Sequence, residues 1–393
     1  MAPKKTNKNS KQMKKSTASI EIKPLDFGWW NVFWQKNSSA PGLVIPRDED
    51  EGFKYFFRMS KKTFEYICSL VREVLICRPP NSGLKNIEGK LLSVENQVAI
   101  ALRRLASGDS QVSVGISFGV DLSTVSIVTW RFVEALEERG RHHLKWPDSC
   151  KLAEIKLNFE KSFGLPNCCG AIGATHIVMT LPVVESSGDW QDNVQNNCMF
   201  CQGTVDPELR FLDIVTGWSR GLSTSRLLEY SGFYKLCQGS ERLNGLSRTL
   251  SEGVEVQEFI VGGTDYPLLP WLITPYRKDD WSCISDEFTA AHNAARLLAV
   301  KAFSNLKGSW KILNKVMREA DKDKLPKIVV VCCFLHNIII DCGDSLLHEV
   351  PLSGHDDSEC IRLLCKQVDP LGKTMRDNLA KHLQLIKQKA QLK

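Results

Sequence analysis

At Trp146-Pro147 the hydrophobic rhythm of the chain changes, and that change limits the folds it can adopt. Upstream, apolar residues recur at helical spacing. Phe56, Met59, Phe64, Ile67, Cys68, Val71 and Val74 mark one amphipathic helix, with Ser60 as its expected N-cap and Pro79-Pro80 as its stop. A second helix is expected from Ser93 to Ala106, closed by Gly108. Downstream the runs are short and β-rich: Cys169 to Thr180, Asn197 to Val205, Phe211 to Thr216 and Phe259 to Gly262, bounded by Gly, Pro or Asp. Helical patterns return at Asp286 to Leu306, Trp310 to Arg318 and Lys327 to Ile340. Strands followed by helices predict an α/β layer, a mixed sheet flanked by helices, over residues 160–340, preceded by an all-α segment over 53–147. Proline forces the residue before it out of helical geometry, so the boundary is placed at 147–160.

The flanks are less regular. Residues 24–52 mix Phe27, Trp29, Trp30, Phe33 and Trp34 with Pro41, Pro46 and a run of acids, which reads as an irregular packed lead-in. The segment 341–393 is polar and mixed; its lysine-bearing stretch Leu371 to Gln391 is helical in pattern and either docks or stays mobile. No function is assigned to it.

Inside the helical part, Gln111 to Phe118, a turn at Gly119-Val120-Asp121 and a helix from Leu122 to about Glu138 form a helix-turn-helix pattern. In such a motif the second helix presents its first turns to the major groove, which makes Ser123, Thr124, Ser126, Thr129 and Arg131 candidate DNA contacts. The same pattern also builds an ordinary helical corner, and both readings stand.

The formal charge of +6 is confined to one end. Residues 1–23 carry Lys4, Lys5, Lys8, Lys11, Lys14, Lys15 and Lys23 against the single acid Glu21, and the remainder is formally neutral. This tail holds almost no apolar residues, so it is expected to be a disordered basic arm, suited to nuclear import or loose phosphate contact, or else simply solubilising. Its first 19 residues lack the apolar core of a secretory signal, and the longest apolar run, Ile328 to Leu335, is too short to span a bilayer. No membrane association and no small-molecule substrate are expected.

Fourteen cysteines lie scattered through apolar segments, a distribution of reduced, buried thiols in a nuclear or cytoplasmic protein. Cys198 and Cys201 have the spacing of half a zinc site, but no second pair stands at a fitting distance. Cys168 and Cys169 lack a paired histidine with an orienting acid, which argues against a cysteine nucleophile.

Four ordered motifs carry a family likeness. Ala171-Ile172-Gly173-Ala174-Thr175-His176-Ile177, Val261-Gly262-Gly263-Thr264-Asp265-Tyr266-Pro267-Leu268, Phe303-Ser304-Asn305-Leu306-Lys307-Gly308-Ser309-Trp310 and Cys333-Phe334-Leu335-His336-Asn337-Ile338 together resemble the PIF/Harbinger transposases. The likeness extends upstream through Leu105 to Gly108 and the helix-turn-helix, so it spans roughly residues 53–340. It implies a ribonuclease H-like DDE-type domain behind a helix-turn-helix domain, with acids on separate elements holding divalent ions for DNA cleavage. Such chemistry places two ions about 3.5–4 Å apart on carboxylate oxygens.

Carried onto this chain, the four acidic slots fall on Gly173, Thr224, Gly263 and Val300, all uncharged, while Thr175, His176, Tyr266, Pro267, Arg296, Phe303, Lys307 and Trp310 keep the surrounding pattern. Asp265 stands where the family has its second glycine, and Asp206 and Asp213 fall on other positions acidic in the family. His176, His336 and Asn337 read as hydrogen-bonded packing residues, since a histidine without its acid partners is a poor base. The resemblance therefore implies a domesticated, catalytically inactive nuclear protein of chromatin or transcriptional regulation. Its expected partners are polycomb-type chromatin complexes, and DNA either directly or through a Myb/SANT-like protein. The alternatives are a divalent-metal nuclease, requiring Mg²⁺ or Mn²⁺, and a sequence-specific DNA-binding protein; otherwise no cofactor is expected.

Overall fold

The computed structural model describes residues 27–38, 45–78, 83–180, 197–219, 221–250, 253–277, 285–318, 322–346 and 364–391. The lysines of the expected basic arm and the Pro79-Pro80 stop lie outside these residues. Seven helices come first: α1 (Gly28–Asn37), α2 (Glu49–Phe57), α3 (Lys61–Cys77), α4 (Val94–Ser107), α5 (Gln111–Phe118), α6 (Leu122–Arg139) and α7 (Ser149–Phe163). Local chemistry sets most of their ends. The side chains of Asp48, Ser60, Ser93, Ser110, Asp121 and Asp148 accept from first-turn backbone N–H groups that would otherwise lack partners. Gly108, Gly119 and Gly164 stop α4, α5 and α7 in the left-handed region, at φ 60°, 65° and 69°.

The lead-in is helical where an irregular segment was expected. Trp30 and Phe33 of α1, Phe53, Phe56 and Phe57 of α2, and Phe64 of α3 interlock as one aromatic block, with ring centroids as close as 4.7 Å for Phe53–Phe57. Pro46 lies outside both helices, while aromatics three or four residues apart fall on one helical face. The expected boundary near 147–160 is occupied by α7, whose Ile155 and Phe159 enter the core.

The sheet follows. Strands β1 (Cys168–Thr180), β2 (Asn197–Val205) and β3 (Phe211–Ser219) run antiparallel. After α8 (Thr224–Tyr230), α9 (Gly232–Gln238) and the small hairpin of β4 (Arg248–Thr249) and β5 (Glu255–Val256), β6 (Phe259–Val261) and β7 (Leu272–Ile273) join parallel to β1. The order β3-β2-β1-β6-β7, three antiparallel strands and then two parallel ones, fits a ribonuclease H-like arrangement. Helix α10 (Ser285–Ser309) crosses β1, and α11 (Leu325–Asp341) packs on both β3 and α6. One buried apolar cluster runs from Trp30 to Leu383, so the helical layer and the sheet share a core.

Two further expectations change. Trp310 to Arg318 forms no helix: after a 3₁₀ turn at Lys311–Leu313, β8 (Met317–Arg318) pairs with the end of β1. Trp310 is fully buried just past α10, and the strand pairing overrides the local pattern. The C-terminal helix α12 (Pro370–Gln391) docks through Met375, Leu379, Ala380 and Leu383. Gly372 makes that docking close, because a Cβ there would stand 2.7 Å from the Leu269 carbonyl carbon. Gly to Ala inside a helix ordinarily stabilises by about 1 kcal/mol. Here the sign reverses: Gly372→Ala should cost about 1–3 kcal/mol by overpacking, read as a lower denaturation midpoint.

Candidate functional site

The central strand and α10 bring two of the four slots together and the third to their edge. Gly173 lies mid-way along β1, opposite Gly203 of β2. The parallel pairing of Ala171 with Val261 carries Gly263, just past β6, to the same level. Val300 sits on α10 beside Ala299, whose Cβ would be 2.8 Å from any Cβ added at Gly173. A Cβ on Gly263 would stand 2.3 Å from Asp265 Oδ1 and 3.8 Å from Arg296 Cδ. The Gly173 slot is therefore closed by the helix and the Gly263 slot by the neighbouring carboxylate. Val300 is partly exposed. Thr224 opens α8, which packs on α9 and β2, behind the Ser223 cap.

The retained residues around these slots hold the elements in place. Lys307 of α10 is buried, and its Nζ donates to the His176 carbonyl of β1 at 2.9 Å. The His176 ring stacks on Phe200 of β2 with centroids 4.6 Å apart.

Nearby acids serve the backbone. Asp206 caps the β2–β3 turn, its Oδ1 accepting from the N–H groups of Glu208 and Arg210 at 2.9 Å. Burial pushes its pKa up to about 6 against these bonds and the Arg210 charge 3.7 Å away. Burial likewise raises Asp213, opposed by Arg242. Among the described residues no three of His, Cys, Asp and Glu gather in a way that could hold a metal ion. The four slot residues carry no carboxylate of their own and Asp265 alone stands beside them, a donor set that does not fit a pair of divalent ions.

The described cysteines are free thiols. Cys198 and Cys201, three apart on one strand, point to opposite faces and cannot share a metal. Burial pushes the Cys168 thiol up to about 12, far from the thiolate a nucleophile needs.

At the corner of α5 and α6 the helices meet at 98°. Ser123 is exposed, and its Oγ donates to the Asp121 cap. Ser126 is half-buried. The other three candidate contacts turn inward. Thr124 is buried, Thr129 is buried with its Oγ1 donating to the Val125 carbonyl, and Arg131 donates to the carbonyls of Leu75 and Arg78 at the end of α3. Beside Ser113, Asp121 and Ser123 the corner exposes four apolar side chains, Val112, Ile116, Leu122 and Ile127.

The chain is 58% identical to Protein Antagonist of Like Heterochromatin Protein 1 of Arabidopsis thaliana, over 97% of this chain and 95% of the relative. The Arabidopsis protein ALP1-like is 47% identical over 90% of this chain and 85% of its own, and the human putative nuclease HARBI1 23% identical over 73% and 81%. The family model described as DDE superfamily endonuclease matches residues 172–337. The chain belongs to the Harbinger-derived DDE family. No solved structure matches it.

The Harbinger motif Leu335-His336-Asn337 is explained by hydrogen bonds. Asn337 Oδ1 accepts from Phe211 N, and Nδ2 donates to the carbonyls of Phe211 and His143, at 2.7–2.9 Å. His336 Nε2 donates to the Leu209 carbonyl, and burial first of all pushes its pKa down to about 4. Beside it runs a chain that sequence reading missed: Tyr66 OH to His143 Nε2, His143 Nδ1 to Asp341, and Asp341 to Arg210. Burial works to raise the Asp341 carboxyl, and the bonds from His143 and Arg210 overcome it and hold it low. His292 of α10 was also missed; it donates to the Ile273 carbonyl of β7 and is likewise pushed down to about 4, chiefly by burial.

Asn337→Leu keeps the volume but strands buried backbone groups, and should cost about 3 kcal/mol in denaturant titration. The histidines fix a pH dependence. Below their ordinary value of 6.5 the unfolded chain takes up protons at His292 and His336 that the folded chain refuses until about pH 4, so stability falls across that window. Asp206 acts oppositely between pH 6 and its ordinary 3.8, where the folded chain binds the proton first. Asp213, also raised, works in the same sense as Asp206, so the histidine contribution is clearest between pH 6.5 and 6, above the shifted Asp206 value, where Tm should drop as pH falls. His292→Gln with His336→Gln should remove that drop.

Proposed function

We propose that this chain is a domesticated, catalytically inactive transposase relative that works in the nucleus as an interaction protein of chromatin or transcriptional regulation. The observation that carries the reading is the filling of the former acid positions: Ala299 stands against Gly173 and the Asp265 carboxylate against Gly263. A two-ion mechanism needs carboxylates on separate elements converging on one point. The name of the 58% identical relative, an antagonist of a heterochromatin protein, supports a chromatin role, and polycomb-type complexes are the partners we propose. The exposed apolar residues at the α5–α6 corner suit contact with a protein better than with a phosphate backbone, which calls for Lys and Arg. Contact with DNA would then run through a Myb/SANT-like partner.

Calorimetric titration with Mn²⁺ should give no tight site and the purified protein should leave plasmid DNA intact; metal-dependent nicking would overturn the reading. Affinity purification from nuclei followed by mass spectrometry should recover chromatin proteins, and their absence counts against the regulatory role. The slot assignment has its own test. Gly173→Asp, Thr224→Asp, Gly263→Asp and Val300→Glu together should fail to create a Mn²⁺ site until Ala299→Gly and Asp265→Gly reopen the space. A six-fold variant that folds yet gains no Mn²⁺ affinity means the slots are misplaced.

A further inference from the structure

On the far side of the Gly263 loop the C-terminal segment closes a cavity of about 250 Å³ that the former metal site does not use. Residues 364–369 run along the loop after β6. Cys365 N donates to the Thr264 carbonyl, Leu268 N to the Gln367 carbonyl, and Asp369 N to the Leu268 carbonyl. Thr264, Tyr266 and Thr274 are among the lining residues; Arg277, Lys373 and Arg376 bring three cations, and among the described residues no carboxylate lines the space. The nearest acids in the sequence of α12 are already engaged. Asp377 accepts from Tyr276 OH at 2.6 Å, and Asp369 accepts from the N–H groups of Leu371 and Gly372.

Arg376 is the decisive residue. It is 4% exposed, with its guanidinium 4.0 Å above the Tyr276 ring. Nη1 reaches the Pro275 carbonyl at a long 3.3 Å, and Nε is buried with no hydrogen-bond partner among the described residues. A buried guanidinium with a spare donor, beside two more cations and with no counter-charge in the wall among the described residues, is costly to maintain unless an anion completes it. Lys373 lies three residues earlier on the same helix face, and Arg277 is fixed by its bond to the Cys365 carbonyl.

We propose that this cavity binds a phosphate group, either on a free small phosphate compound or at the tip of a phosphorylated side chain. The Arg376 guanidinium supplies a fixed, delocalised positive charge in the wall, Lys373 a mobile point charge, and the threonine hydroxyls satisfy remaining lone pairs. A phosphate carries about −1.5 to −2 charges near neutral pH, which matches three cations better than a single carboxylate does. Because the walls come from the β6–β7 loop and from α12, a bound phosphate ties the C-terminal helix to the sheet.

The test is calorimetric titration of the full-length chain with inorganic phosphate, pyrophosphate, and a phosphoserine peptide beside its unphosphorylated form. Saturable binding of at least one phosphate probe is expected, with a rise in Tm. Preference for pyrophosphate identifies a free ligand, and preference for the phosphopeptide an attached one. Lys373→Glu, whose side chain is exposed, should keep the fold and weaken binding on the order of tenfold or more. Arg376→Lys keeps a charge but loses the planar group held over the Tyr276 ring that fixes its place, and should weaken it similarly. The proposal is overturned if no phosphate probe gives saturable heat at millimolar concentration, or if both variants bind as the parent does.

Discussion

The close approach of α10 to β1 organises the molecule. β1 is paired with β2 along one edge and with β6 and β8 along the other, and α10 lies across its face with room for no side chain at Gly173. Lys307 fastens the contact from the helix side through the His176 carbonyl, and His292 fastens the same helix to β7. A lysine ammonium taken out of water must be hydrogen-bonded to be tolerated, so its bond to a strand carbonyl both satisfies it and fixes the register of helix on sheet.

A second set of bonds holds the helical layer against the sheet. Asn337 reads both backbone groups of Phe211 at the start of β3 and the His143 carbonyl beyond α6, and the Tyr66–His143–Asp341–Arg210 chain runs beside it. These groups come from α3, the turn after α6, the β2–β3 hairpin and α11. Losing one member strands several others, because each polar atom has its partner in a different element. The Leu335-His336-Asn337 motif is thus a device of assembly, which accounts for its presence in a chain whose acidic slots are neutral.

Much of this was legible in the sequence because it is local. Helix starts at Ser60 and Ser93, stops at Gly108, and the long strands β1 and β2 follow from capping chemistry and periodicity, which depend on a few adjacent residues. The uncharged residues Gly173 and Gly263 are read inside their motifs directly from the sequence. What could not be read was tertiary. The aromatic lead-in folds because Trp30 and Phe33 find Phe53, Phe56 and Phe118; Trp310 leaves its helical pattern because β8 finds the edge of β1; and Thr129 and Arg131 turn inward to the backbone of α6 and α3. The engagement of Asp265 over Gly263 and of Ala299 over Gly173 belongs to the same class, for it pairs residues whose proximity no spacing announces.

On the reading we propose, that closure bears on how a nuclease scaffold passes into a non-catalytic one. Carboxylates converging in a buried site repel one another unless a cation neutralises them, so an apo metal site is a standing electrostatic cost. Glycine, threonine and valine at the proposed positions carry no such repulsion, and Gly173 lets the helix lie close against the strand with the dispersion contacts that brings. Once Ala299 and Asp265 occupy the vacated volume, a single reverse substitution meets a clash or an added like charge, and no lone carboxylate supplies the geometry a hard cation demands. On the reading we propose, restoring the acids therefore takes a coordinated change at several positions.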